Sequence, residues 1–220
     1  NGEVLMFSPL YTTTIKGSLL GTMKILTGTL PHDPNDNVID DTALLTWNRP
    51  QNTALTARTY AAGFEPLGLK PVGGVYLPPL APKVLFGRDP GATAQVTFTE
   101  AGVGSATRNP NMTVTIGALS KVTYPLAANN LAKTVFTSLV PATGLFSGTF
   151  ELSDPNPRLA PNNLPLTVVR SQVPFFGIVI REASGLSGVG SFLLPQLPSD
   201  ALNTKTTTSP ILSGQVLITP

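Results

Sequence analysis

The chain has 220 residues, of which 12 % are charged, and its 14 Lys and Arg stand against 12 Asp and Glu for a formal net charge of +2. Charged residues usually make up roughly 25 % of a globular chain; here the basic residues are few and scattered, which excludes the clustered Lys/Arg face that nucleic-acid binding needs. Cysteine is absent, excluding disulfides, thiolate metal sites and cysteine nucleophiles, and no apolar run approaches the ~18 residues of a membrane-crossing helix.

The 22 Pro and 20 Gly punctuate the chain closely, and no window of about 12 residues keeps a 3.6-residue apolar period. Short strands between turns are the expectation. They are placed over 4–7, 17–26 and 43–47, then as a pair over 58–64 and 73–77 around a connection at 66–71, with a polar loop over 30–41. The segment Pro78-Pro79-Leu80-Ala81-Pro82 cannot sit inside a sheet and marks a boundary. It divides the chain into an N-terminal β half, 1–79, and a C-terminal β half, 80–220.

Beyond it, strands are expected over 83–86, 94–100, 112–116, 121–126, 134–140, 145–152, 164–170, 173–181, 190–194 and 215–218. Between 134–140 and 145–152 lies Pro141-Ala142-Thr143-Gly144, where Pro presets φ and Gly accepts a positive φ, so these two strands form a hairpin. Phe146, Gly148 and Phe150 share one face of it, and Ser147, Thr149 and Glu151 the other. Val96 and Phe98 likewise oppose Gln95, Thr97 and Thr99. About 12 to 14 short strands at this spacing predict an all-β fold, an antiparallel barrel or sandwich. An echo between Gly63-Phe64 with Gly74-Val75-Tyr76-Leu77-Pro78 and Phe176-Gly177 with Gly190-Ser191-Phe192-Leu193-Leu194-Pro195 suggests two halves of similar build. The strands read as shorter than the ~9–11 residues of a membrane barrel. The final strand, over 214–219, either closes its own sheet or pairs with another subunit.

Little in the chain points to catalysis. His32 is the one histidine, it stands in a loop, and no G-x-S-x-G elbow accompanies it. The acids Glu65, Asp89, Glu100, Glu151, Asp154 and Glu182 carry no spacing that pairs two of them. The exception is an acidic loop. Asp33, Asn35, Asp36, Asn37, Asp40 and Asp41 put four carboxylates and two amides into nine residues, the oxygen-rich composition that Ca²⁺ takes. The string resembles the calcium-binding linker of cadherins, although Val38-Ile39 stands where that family has Ala-Pro, and it lacks the Gly and terminal Glu of an EF-hand. The same residues are also what an ordinary turn uses. No other cofactor is implied. Trp47, on the strand A-L-L-T-W, reads as core, and an exposed Trp47 or a row of exposed Tyr would instead indicate carbohydrate binding.

Two series of segments carry a resemblance. One runs Phe7-Ser8-Pro9-Leu10-Tyr11, Lys16-Gly17-Ser18-Leu19-Leu20-Gly21, Leu45-Thr46-Trp47-Asn48-Arg49-Pro50 and Tyr60-Ala61-Ala62-Gly63-Phe64. The other runs Pro141 to Phe150, Phe175-Phe176-Gly177-Ile178-Val179 and Gly188-Val189-Gly190-Ser191-Phe192-Leu193-Leu194. Their order resembles the β-rich domain near the C-terminus of large secreted repeat proteins of the verrucomicrobial type. The resemblance implies an antiparallel β unit carried on extracellular or cell-surface proteins, with no catalytic residues. The chain's opening at Asn1 without Met suggests a processed product or a piece of something longer. The expected function is therefore a non-enzymatic structural or adhesive domain, extracellular or at the cell surface, whose partners are other protein chains, itself included. The rival expectations are a carbohydrate-binding module of a secreted hydrolase and a subunit of a self-assembling shell or filament.

Overall fold

A computed structural model describes residues 2–11, 16–28, 36–40, 44–54, 56–103, 108–158, 166–182 and 185–220. Among them the chain is all-β: thirteen strands, arranged in two antiparallel sheets, with helical turns limited to short 3-10 segments such as Leu85–Gly87 and Ala127–Asn129. The chain divides into two compact units, the first comprising Asn1–Leu77 and Ile180–Gly185, the second Pro78–Val179 and Leu186–Pro220.

The first unit is a five-stranded sheet. β1 (Gly2–Leu10), β2 (Gly17–Leu26), β4 (Leu44–Arg49) and β5 (Phe64–Leu69) follow one another across it, and the two-residue β3 (Val38–Ile39) pairs with the far end of β2. Here the structure corrects the expected pairing of 58–64 with 73–77, because β5 runs through the stretch read as a connection. Pro66 is tolerated for two reasons. β5 is an edge strand, and the register slips between Trp47 and Arg49, so Pro66 falls at a bulge where no ladder donor is required.

The second unit holds eight strands: β6 (Ala92–Glu100), β7 (Met112–Ile116), β8 (Val122–Thr123), β9 (Val135–Val140), β10 (Leu145–Pro155), β11 (Thr167–Glu182), β12 (Gly185–Pro195) and β13 (Ile211–Thr219), in the order β8-β7-β6-β13-β12-β11-β10-β9. Every strand neighbours its predecessor or successor in the chain except at one place, where the last strand pairs with the first. β13 lies between β12 and β6, within its own sheet, with Val216 opposite both Gly190 and Phe98. The result is a nearly closed, barrel-like up-and-down sheet. Its seam, between β8 and β9, is bridged by side chains. The Tyr124 hydroxyl accepts the Phe136 N–H at 2.8 Å and lies 3.4 Å from the Phe136 carbonyl, and the buried Thr134 hydroxyl donates to the Pro110 carbonyl at 3.0 Å.

Strand lengths depart from expectation. β10, β11 and β12 span 11, 16 and 11 residues, and the two strands read over 164–170 and 173–181 are one. What reads as a break is a bulge: Ser171 and Gln172 together oppose the single residue Glu151, and Gln172 takes a φ of 51°. Conversely, 83–86 forms a turn and 121–126 contributes only the two residues of β8.

The interior of the eight-stranded sheet is filled by aromatic rings. Phe98 lies 4.8, 5.1 and 5.8 Å from Phe150, Phe175 and Phe192 between ring centroids, and Phe136 lies 5.5 Å from Phe175. Space for these rings comes from glycine on the neighbouring strand. Phe146 is paired with Gly177, Phe175 with Gly148 and Phe192 with Gly214, and in each pair a Cβ on the glycine would collide with the ring opposite. Alternating large and small residues is how a small barrel fills its centre. The two sheets thus differ in strand number and order. The segment echoing Gly190 to Pro195 of β12 lies outside any ladder except for a bridge between Gly74 and Val38.

Candidate functional site

The acidic loop is described only in part: Asp33, Asn35 and Asp41, with His32, lie outside the described residues. The remaining members hold the first unit together locally. The Asn37 side chain accepts the Gly28 N–H at 3.4 Å, and its carbonyl accepts the Val75 N–H at 3.0 Å. Asp36 packs against Gly28. Asp40 is buried, its N–H donating to the Lys24 carbonyl at 2.8 Å and its carboxylate 3.8 Å from the Lys24 ammonium. Among the described residues no group of three or more His, Cys, Asp or Glu gathers in a geometry suited to a metal.

Trp47 belongs to an aromatic cluster on one face of the first sheet. Its ring meets Phe64 edge-on at 4.7 Å and Tyr60 at 6.0 Å, and its indole N–H donates to the Tyr11 hydroxyl at 3.1 Å. Gly17 makes this possible, since the Tyr11 ring lies where a side chain would otherwise stand. Arg49 is buried beneath, its guanidinium 4.1 Å from the Tyr11 ring and donating to the Thr59 and Tyr60 carbonyls at 2.7 and 3.2 Å. With its donor engaged and its ring packed edge-on, Trp47 is half-buried within this cluster and is not an exposed platform.

The opposite face of the same sheet carries exposed apolar side chains. Leu5 pairs with Thr22, which pairs with Leu44, and Phe7 pairs with Leu20, so the four apolar residues share one face. Leu5 is 75 % exposed, Phe7 64 %, Leu44 56 % and Leu20 47 %. β1, which carries two of them, is an edge strand: among the described residues no strand pairs with its outer side. Glu3 and Lys24 face each other beside this group.

In the second unit, three carboxylates named above meet cations, not one another. Asp89 lies 2.8 Å from Lys83, and Glu151 is held by Arg108 and by Lys133. Asp154 meets Arg170 inside the sheet, with side chains 1 % and 3 % exposed. This last pair is one that residue spacing alone did not reveal. Asp154 continues the inward phase of Phe146, Phe150 and Leu152 along β10, and Arg170 follows Val168 on β11. Asp154 could have been found as an acid on the apolar face. Arg170 could not, because the bulge at Ser171-Gln172 reverses the phase of β11 and turns Arg170 inward.

Comparison with protein-family models, curated proteins and solved structures returns no match. The geometry therefore carries the functional reading.

Arg170 Nη1 donates to the Pro195 carbonyl at 3.0 Å and Nη2 to Asp154, while the buried Arg170 Nε and Asp154 Oδ1 make no hydrogen bond among the described residues. Arg170 also lines a cavity of 320 Å³ together with Ala101, Gln196, Ser199, Leu202 and Thr204. A second pocket, of 360 Å³, is lined in part by Arg158, which donates to the Asp200 carboxylate at 2.6 Å and to the Thr204 carbonyl at 3.2 Å. For the tyrosines Tyr124 and Tyr76, burial raises the hydroxyl pKa above its ordinary value. No helix among the described residues is long and apolar enough to cross a membrane.

Proposed function

We propose that this chain is a non-enzymatic structural or adhesive domain of an extracellular or cell-surface protein, acting by association with neighbouring protein chains, a second copy first among them. The observation that carries the reading is the apolar face of the first sheet, where Leu5, Phe7, Leu20 and Leu44 lie exposed beside the outer edge of β1. Exposed apolar residues that gather on one face, unlike those scattered singly, mark interaction sites. A strand edge beside them offers backbone donors and acceptors to a further strand. The resemblance to domains of secreted repeat proteins of the verrucomicrobial type supports the same reading.

The test is the solution mass of the purified chain by light scattering over a range of concentrations, in calcium and in chelator, beside a Leu5→Asn/Phe7→Asn variant. Both residues are exposed, so the variant keeps its fold. Assembly that grows with concentration and is lost in the variant is the expected result. A parent chain that stays monomeric at every concentration overturns the reading. A mass that changes between calcium and chelator assigns the 33–41 loop a part in association, and an unchanged mass removes it.

A further inference from the structure

The Arg170–Asp154 pair has no counterpart in a purely packed barrel. Two ionised groups inside a sheet otherwise filled by phenylalanine carry a desolvation cost that replacement by apolar residues would remove. The pair is also left incomplete: one buried donor, Arg170 Nε, and one buried acceptor, Asp154 Oδ1, make no hydrogen bond among the described residues. Both atoms lie within the buried ion pair itself, and Asp154 is not among the residues that line the neighbouring cavity. The cavity lined by Arg170 lies within the second unit. Its lining is neutral apart from that residue, whose charge Asp154 matches, and it mixes hydrogen-bonding groups (Gln196, Ser199, Thr204) with apolar ones (Leu197, Leu202, Pro210).

We infer that this cavity binds the neutral ring of a saccharide. Its volume of 320 Å³ falls at the small end of ligand sites, the scale of one sugar ring. A sugar presents hydroxyls that each donate and accept, and apolar C–H faces between them. Ser199 and Thr204 suit the former. Their oxygens already accept the Leu202 and Ser199 N–H groups at 3.3 and 3.0 Å, so each hydroxyl proton is left to donate. Leu202, 65 % exposed, and Leu197 suit the latter. An anionic ligand gains no comparable advantage, because the guanidinium charge is already matched by Asp154. This site is independent of the association face: its residues all belong to the second unit, and either proposal stands if the other fails.

The experiment is ¹H–¹⁵N NMR titration of the intact chain with the methyl glycosides of glucose, galactose and mannose, with N-acetylglucosamine, with glucuronate, and with glycerol as an acyclic control. The amides of Ser199 and Leu202 report directly on the lining hydroxyls to which they donate. Saturable shifts at these amides with at least one neutral sugar, at millimolar concentration, are the expected result. Gln196→Ala, which leaves the ion pair intact, should weaken that affinity about tenfold, the scale of one or two hydrogen bonds, and Leu202→Asn should weaken it with the fold retained. Absence of shifts with every sugar overturns the proposal, as do shifts reproduced by glycerol. Glucuronate binding more tightly than every neutral sugar overturns it too, since it would show an anion site.

Discussion

At the scale of single residues, this protein relies on a few polar side chains placed where the backbone ladder ends. Tyr124 is the clearest. Its hydroxyl meets the Phe136 N–H and carbonyl across the seam between β8 and β9. Tyr124→Phe leaves a partly buried backbone N–H without a partner and should cost about 1–3 kcal/mol, read from urea unfolding; an unchanged midpoint would show that the seam holds without it. The same residue gives the protein a pH dependence. Burial holds the Tyr124 hydroxyl in its protonated form, with the Phe136 contact opposing more weakly, so its pKa in the folded chain lies above the unfolded value. The folded state therefore keeps its proton where the unfolded state loses it. The stabilisation is complete below about pH 10, the ordinary tyrosine value, and disappears as pH rises through the folded value. Melting temperatures measured on the alkaline side should fall more steeply in the parent chain than in Tyr124→Phe, with Tyr76 supplying the slope that remains. Asp154 makes a second case. Asp154→Asn leaves the Arg170 guanidinium buried beside a neutral amide and should cost about 3–5 kcal/mol, whereas replacing both residues by apolar side chains of similar volume should cost far less. Chemical denaturation of the single and double variants separates the two.

At the scale of elements, the pairing of phenylalanine with glycine is what turns eight strands into a filled barrel. The three pairs are in register across two strand interfaces, β10–β11 and β12–β13, and each ring occupies the volume that a side chain opposite would take. Gly148→Ala and Gly214→Ala should therefore each lose at least ~1–3 kcal/mol from overpacking, seen as a lower midpoint in thermal unfolding. Gly2→Ala, where a Cβ meets open space, should leave that midpoint in place. Equal behaviour of all three variants would contradict this account of the core. Much of this scale was legible in the sequence. The hairpin of β9 and β10, the inward set Phe146, Gly148 and Phe150, and the inward Val96 and Phe98 follow from alternation and one Pro-x-x-Gly turn. The reading failed where two residues did the work of one. Pro66 sits in an edge strand because of a bulge, and Ser171-Gln172 interrupts the alternation of β11 without ending the strand. Bulges depend on the partner strand, so a single segment gives no sign of them.

At the scale of the whole molecule, the closing strand decides integrity. β13 lies between β12 and β6, joining the meander that starts at β9 to the three strands that open the second unit. Truncation after Pro210 removes that joint and strips cover from Phe192, Val96 and Phe98, which pair with or pack beside it. The truncated chain should lose its cooperative thermal transition in circular dichroism; a retained transition would show that the remaining strands close without it. Composition and period by themselves determined that this protein is all-β, with no helix among the described residues long and apolar enough to cross a membrane. Those properties follow from φ restriction at proline, from turn chemistry and from alternation, which act over a few residues. Only the tertiary structure decided that β13 pairs in cis, that Arg170 turns inward to meet Asp154, and that Leu5, Phe7, Leu20 and Leu44 share an exposed face. These depend on register between strands far apart in the chain, and a shift of one residue moves a side chain from the core to the solvent.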